Sequence, residues 1–445
     1  MKTQLFSEFQ PISTAQWKQK IQFELKGADY NETLVWESLE GIKVKPFYHT
    51  DEAVKSLNIP TKASEFKILQ DIFVHDVLKS NQKALEVLGR GAESIRFTLE
   101  NTVNLEELMQ NLPKNISYLF NLQFFEGDFI QNLHNFSQKN EYLVTICIDP
   151  IHKLAKEGNW FSNLEGDFAQ LSAIPSITIS VNASLYQNAG ATMVQQLAYT
   201  LAHLHEYLGR LESVNQLNIE VSVGSHYFFE IAKLRALRLL INTLVAEYHP
   251  SIDINILATP TLRNKTLYDY NVNMLRTTTE CMSAILGGAD YICNLPYDYV
   301  YHKTNEFGDR IARNQLLILK HESYFDKVDN PAEGSYYIES ITQQLAEKAL
   351  DLFKDIEKNG GFITQLINGT IQRKIAESAE KEQDLFDAGK EVLLGTNKYP
   401  NKNDQMKHEL ELYPFVKQNA RKTLITPIIT KRLAEKIEQE RLTSE

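Results

Sequence analysis

Short apolar runs of strand length recur eight times along this chain, and most are followed by a stretch with helical periodicity. The runs are Phe66–Val74, Ser94–Leu99, Ser117–Phe125, Tyr142–Ile148, Ser176–Val181, Asn218–Val223, Asp253–Ala258 and Ala289–Leu295. The helix-period stretches include Leu105–Asn111, Val194–Arg210, His226–Tyr248, Asn273–Leu286 and Tyr336–Asn359. A strand sends alternate side chains to opposite faces, whereas a helix gathers residues three and four apart on one face. Strands alternating with helices pair in parallel, because each helix carries the chain back to the starting edge of the sheet. Eight such units suit an α/β fold of the closed (β/α)8 TIM-type barrel class. An open doubly wound sheet satisfies the same alternation and stays open as the alternative.

The flanks differ from this middle. Residues 1–50 read as an N-terminal arm for subunit contacts. Within it, Ser13–Leu25 predicts a helix with Thr14 as N-cap, stopped by Lys26-Gly27. Leu39–Tyr48 alternates and then meets Pro46, so it predicts an extended strip lying on its own barrel or on a partner. Residues 51–365 hold the barrel units. Within them, Gly287-Gly288 closes a helix and Asn330-Pro331 with Gly334 marks a turn. Residues 366–445 form a charged helical tail, with a strip at Glu391–Asn401 and a last helix at Thr430–Arg441.

Charge and cysteine usage narrow the function classes. A net charge of -11 disfavours nucleic acid and anionic membranes as partners, since both are gripped through Lys and Arg. The three cysteines, Cys147, Cys281 and Cys293, lie in apolar runs without ligand spacing. They predict reduced buried thiols, no metal site and a cytoplasmic address. The start, MKTQLFSEFQPIS, has no apolar core of a secretory signal, and no run approaches the roughly 20 apolar residues of a membrane helix.

Few residues stand out as chemistry on their own. His226 follows the sixth strand, at the barrel end where active sites sit, so it is a weak candidate for a general base. A lone histidine is more often structural, and that reading is preferred. His203 and His205 are two apart on a helix and diverge, and His152 has no evident partner. Arg310 and Arg313 share a helix face and could grip a phosphate, but an ion pair with a neighbouring element or subunit is the favoured reading.

Longer blocks carry more. NMLRTTTECMSAILGGADYICNLPYD (Asn273–Asp298), RIARNQLLILKHES (Arg310–Ser323) and NPAEGSYYIESITQQLAEKA (Asn330–Ala349) resemble the acyl-CoA-binding barrel of the methylmalonyl-CoA mutase family. EGIKVKPFY (Glu40–Tyr48), NAGAT (Asn188–Thr192), FEIAKLRALRLL (Phe229–Leu240) and TKRLAEKIEQER (Thr430–Arg441) extend the resemblance from about Trp17 to Arg441. It implies a (β/α)8 barrel threaded by CoA and a neighbouring cobalamin domain carrying D-x-H-x-x-G. No such motif stands in this sequence. The nearest, Asp149-Pro150-Ile151-His152, has the wrong spacing.

A second departure lies before the NAGAT turn. The family's catalytic chains read Tyr-His-x-Gln-Glu there, whereas Ser184, Leu185, Tyr186, Gln187 and Asn188 stand here. Leu185 can neither donate a hydrogen bond to a thioester carbonyl nor move a proton, and such electrostatic help is usually the largest catalytic contribution. Leu69-Gln70-Asp71 likewise occupies the place of an Arg-Gln-Tyr run. The resemblance therefore implies a degenerate site at Ser184, Leu185, Gln187 and Asn188, with no catalytic, cofactor or metal residue. It is similar to the non-catalytic small chain of the family's heterodimeric form. A catalytic large-subunit partner would then hold adenosylcobalamin, and no cofactor would be bound by this chain. Two alternatives stand beside it: a substrate-binding subunit that borrows cobalamin from a separate protein, and a free-standing interaction protein.

Overall fold

The structure is a computed structural model that describes residues 6–52, 56–174, 178–212, 214–248, 252–417 and 420–445. The arm opens with helices α1 (Thr14–Glu24) and α2 (Tyr30–Leu34) and a small antiparallel pair, β1 (Trp36–Glu37) and β2 (Lys43–Val44). The barrel units follow: β3 (Lys67–Phe73), α3 (Val77–Gly89), β4 (Ser94–Leu99), α4 (Leu105–Leu108), β5 (Ser117–Leu122) and α5 (Gly127–Asn140). Next come β6 (Leu143–Cys147), α6 (Pro150–Glu157), α7 (Leu164–Ser172), β7 (Thr178–Asn182), α8 (Ser184–Asn188) and α9 (Met193–Leu208). The last units are β8 (Gln216–Val223), α10 (Tyr227–Ala246), β9 (Asp253–Pro260), α11 (Val272–Leu286), β10 (Tyr291–Ile292) and α12 (Glu306–His321). Helices α13 (Tyr336–Lys358), α14 (Gly361–Ile367), α15 (Thr370–Asp387) and α16 (Glu435–Ser444) complete the chain.

The eight barrel strands pair in parallel in the order β6-β5-β4-β3-β10-β9-β8-β7. Sequence neighbours are therefore spatial neighbours all the way round, and β6 and β7 meet at the one seam without a strand ladder. This is the (β/α)8 TIM-type barrel that the alternation predicts, and the open-sheet alternative falls away. The outward strand residues, such as Ile95, Phe97, Tyr118, Phe120, Ile219 and Ile256, are buried against the helix layer and form the main core. The inward residues are mostly polar, a reversal of the usual bulky apolar barrel filling.

Several local expectations need correcting. Ser13, not Thr14, caps α1: its backbone is extended, its hydroxyl accepts from Gln16 N–H, and Gln16 reaches back to its N–H. Thr14 donates instead to Asp51. The Leu105–Asn111 helix shrinks to Leu105–Leu108, and the Ala289–Leu295 run contributes only Tyr291–Ile292 to the sheet. The Glu391–Asn401 strip folds into a tight turn closed by a Leu394–Lys398 bridge rather than a strand. The last helix begins at Glu435 instead of Thr430, and the stretch before it is fastened to the barrel loops by Lys431 and Leu433 N–H groups donated to the Asn188 and Arg263 carbonyls. The first two residues of the Ser176–Val181 run, and residues 1–5 of the arm, lie outside the described residues.

The strip Leu39–Tyr48 lies on its own barrel. Ile42 is fully buried, and the Glu40 carboxylate accepts from Met193 N–H at 2.7 Å and Val194 N–H at 2.9 Å. Those N–H groups belong to the first turn of α9, where a carboxylate meets unpaired donors and the positive end of the helix dipole. Helix α1, in contrast, buries none of its residues.

Candidate functional site

Active sites of such barrels sit at the carboxyl ends of the strands. There β7 ends at Asn182 and runs into the five-residue helix α8. Every polar side chain of α8 is turned toward the scaffold. Ser184 donates its hydroxyl to Asn182 Oδ1. Leu185 is 3% exposed and packs in the main core. The Tyr186 hydroxyl meets His203 Nδ1 at 2.9 Å, and His203 Nε2 lies 2.9 Å from Asp149 Oδ1. Gln187 donates to Glu230 Oε1 at 3.1 Å and accepts from Lys233 Nζ at 2.9 Å. Asn188 Oδ1 accepts from Thr261 Oγ1 and Leu262 N–H, both at 2.8 Å.

Asp149 anchors this region. Its carboxylate caps α6 through His152 N–H at 2.8 Å, and accepts from Tyr207 OH and Asn182 N–H at 2.7 Å each. Burial pushes the carboxyl up, but His203 and these donors outweigh it and hold it below its ordinary value. The four ligated partners come from α6, β7 and α9, so Asp149 ties the seam strands to the following helix.

His226 sits at the start of α10 with its ring stacked on Trp36 of the arm at 5.1 Å and tilted against Phe229 at 4.4 Å. Burial lowers its pKa and so favours the neutral ring, against the opposing pull of Glu230. The remaining candidates are structural in their contacts. His205 pairs with Glu357, and the Arg313 guanidinium donates to the Arg90 carbonyl and to Gln70. Arg310 lies over the Phe307 ring.

Two residues that decide what the barrel can hold, Arg96 and Glu220, are ones the sequence analysis did not single out. Arg96 on β4 points inward and pairs through Nε with Asp71 Oδ1 on β3 at 3.1 Å. Its Nη1 reaches Glu220 Oε1 at 2.9 Å. Strand β8, which carries Glu220, is four strands from β4 in either direction, so this guanidinium bridges opposite walls of the barrel. Asn182 Nδ2 donates to the other Glu220 oxygen at 3.0 Å, and Thr98 donates to Asp71 at 3.3 Å. Burial alone would lower the Arg96 pKa, but the two carboxylates hold it well above its ordinary value. Beneath this layer, Leu69, Leu119, Cys147, Leu257 and Cys293 pack together with Tyr291 beside them. Burial raises the Cys147 thiol to about 11 and the Cys293 thiol to about 12, so both are unreactive. A charged residue inside an apolar strand run, as in Ser94–Leu99 and Asn218–Val223, is the one signal that could have flagged Arg96 and Glu220.

A cavity of about 110 Å³ opens at the mouth, lined by Arg96, Ser180, Asn182, Glu220 and residues of α6. His152, the nearest approach to a cobalt-ligating histidine in this chain, places Nδ1 against the Asn182 carbonyl at 3.0 Å. No group of three or more metal-binding side chains occurs among the described residues. No described helix is long and apolar enough to cross a membrane.

The tail packs over the loops around α8. Gly190, at φ +95°, brings its Cα so close to α15 that an added Cβ would sit 2.6 Å from Ala379. Arg263 after β9 donates to the Lys431 carbonyl at 2.8 Å, and Arg432 is buried in an ion pair with Glu438 at 2.7 Å.

Comparison with known proteins gives one consistent answer. A family model described as methylmalonyl-CoA mutase matches residues 144–442. The chain is 34% identical to a methylmalonyl-CoA mutase small subunit of Porphyromonas gingivalis, over 90% of this chain and 72% of that protein. It is 35% identical to a methylmalonyl-CoA mutase of Rhizobium meliloti over 62% of this chain and 40% of that protein. A methylmalonyl-CoA mutase small subunit of Streptomyces virginiae is 34% identical over 50% of this chain and 38% of its own length.

Proposed function

The chain belongs to the methylmalonyl-CoA mutase family, and from that premise we propose that it is the non-catalytic small subunit of a heterodimeric methylmalonyl-CoA mutase. The complex would interconvert (R)-methylmalonyl-CoA and succinyl-CoA. The large subunit would carry adenosylcobalamin and the reacting groups, and this chain would stabilise it by binding its folded form.

The observation that carries this reading is the Arg96 bridge. A CoA thioester threading the axis would have to displace an ion pair that joins opposite walls, as well as the packed layer beneath it. Breaking a buried pair in this way leaves charges uncompensated, at about 3–5 kcal/mol. The inward turning of Ser184, Leu185, Gln187 and Asn188 supports the same conclusion, since none offers a free polar group at the mouth. Glu230 and Lys233, which bind Gln187, are themselves fully buried, so the block is held rigidly in this orientation.

For the partner surface, the arm (residues 1–50) is the favoured region, beside a barrel at 51–365 and a tail at 366–445. Helix α1 buries nothing on its own chain, while Trp17 and Phe23 are exposed, Phe23 to 79%. Large aromatic side chains left in water at one end of a molecule mark an interaction surface. The three free, buried thiols fit a reducing, cytoplasmic setting.

The test is co-expression with a cognate large mutase subunit, with adenosylcobalamin supplied, followed by mass determination and mutase assay of each chain and of the pair. A one-to-one complex with turnover, and none from this chain alone, is expected. Turnover by this chain with only a separate cobalamin-binding protein would overturn the assignment.

A further inference from the structure

Three helices of the outer layer bring a carboxylate, an imidazole and a phenol into line. His205 lies in the last turn of α9, Glu357 in the last turn of α13, and Tyr248 in the turn that ends α10. Helices α9 and α10 run back toward the starting edge of the sheet, so their ends lie at the floor of the barrel, away from the mouth and α8.

The pair with Glu357 is only half of what His205 touches. Its Nδ1 lies 2.8 Å from Glu357 Oε2, and its Nε2 lies 2.6 Å from the Tyr248 hydroxyl. A carboxylate only accepts, so Nδ1 carries the proton of the neutral ring and Nε2 is left to accept from the phenol. The other Glu357 oxygen, Oε1, is buried with no hydrogen-bond partner among the described residues, which leaves His205 as the group this carboxylate acts on. Phe353 packs edge-on against the imidazole at 5.6 Å.

A weak nucleophile within hydrogen-bond reach of a base, with the base oriented by a third group, is the arrangement that activates hydroxyls for covalent chemistry. The phenol here needs that help. Burial, and then the charge of Glu357, raise the Tyr248 pKa, so its hydroxyl keeps its proton through the neutral range. The base is suited to remove it. The hydrogen bond to Glu357 raises the His205 pKa against burial, with the charges of Glu357 and Glu206 adding to it and Arg210 opposing. A stronger proton acceptor follows. Tyr248 is 37% exposed, so a reagent in solution meets it. Tyr399 is more exposed, at 77%, and has the Lys398 ammonium over its ring in place of a base.

We propose that Tyr248 is a modification site, a nucleophile that takes the acyl group of an activated ester or thioester. The phenol oxygen bonds to the acyl carbon as its proton passes to His205 Nε2. The alcohol or thiol leaves as its anion and is reprotonated by the imidazolium. The product is a tyrosyl ester, and no oxidant or reductant takes part. The site belongs to this chain alone and does not depend on the mutase reading.

The full chain treated with p-nitrophenyl acetate tests it. One equivalent of p-nitrophenolate and one acetyl group per chain are expected, with peptide mapping placing the acetyl on Tyr248 ahead of Tyr399. Hydroxylamine should remove it, as it does a phenyl ester and not a lysine amide. The labelling rate should rise with pH through the folded His205 value, which lies above the usual value of about 6.5, because only the neutral ring accepts the proton. His205→Gln is expected to slow labelling by about 100-fold or more. Glu357→Gln should move the rise to lower pH and slow the plateau, and Tyr248→Phe should remove the label. The last two nearly keep the side-chain shapes and leave the test decisive if His205→Gln does not fold. No acetyl on Tyr248, labelling of Tyr399 as fast as Tyr248, or a Tyr248 rate and pH profile unmoved by His205→Gln and Glu357→Gln overturns the proposal.

Discussion

Arg96→Met keeps the aliphatic stem of the residue that crosses the barrel and removes its charge. The two pairs it breaks differ in environment. The Asp71 side chain is 41% exposed, so its pair is largely solvent-screened and contributes up to about 1 kcal/mol. The Glu220 side chain is 17% exposed and keeps only the Asn182 bond, so stranding it costs toward the lower end of the roughly 3–5 kcal/mol for a broken buried pair. Together these give about 3–4 kcal/mol. Unfolding entropy of about 2.1 cal/mol/K per residue amounts to roughly 0.9 kcal/mol/K for 445 residues, so the midpoint falls by about 3–4 °C. Scanning calorimetry reads the shift directly. Adding Asp71→Asn and Glu220→Gln to Arg96→Met removes every uncompensated charge and is expected to recover most of the loss. A single variant within about 1 °C of the parent, or a triple variant no better than the single, would refute the view that Arg96 holds the barrel closed by charge pairing.

Two further outcomes follow from the same structure. Leu185→His restores the residue type of the catalytic chains at that position, yet the side chain is buried in the core with no partner waiting. It is expected to cost about 1–3 kcal/mol and to yield no mutase turnover from this chain, by calorimetry and activity assay. His205 has its pKa raised by its hydrogen bond to Glu357 at 2.8 Å, against the opposing effect of burial. A raised histidine stabilises fully below its unfolded value of about 6.5, and that stability is lost as pH rises through the folded value. Thermal midpoints measured across that window should fall with pH in the parent and stay flatter in Glu357→Gln. An equal slope in both would remove His205 as the cause.

The local elements were legible in the sequence because they depend on periodicity. Ile95 and Phe97 alternate with Ser94, Arg96 and Thr98, and a strand is the only element that sends such a pattern to two faces. Helices α9 to α11 followed from apolar residues at helical spacing, and the block at Ser184–Asn188 stood out only through the family resemblance. Errors gathered where tertiary contacts compete with local preference. Lys431 and Leu433 are held by the Asn188 and Arg263 carbonyls of the barrel loops, and Thr14 is drawn to Asp51 instead of capping its own helix. What only the tertiary structure decided is which face of each strand lies inside. Alternation specifies two faces without assigning them, and closure of the sheet puts the polar set on the axis. Arg96 and Glu220 are separated by 124 residues. No local pattern relates them, and they meet because three intervening strands on either side carry β8 to the wall opposite β4. That meeting closes the axis, and it leaves beside it the small polar cavity at the seam.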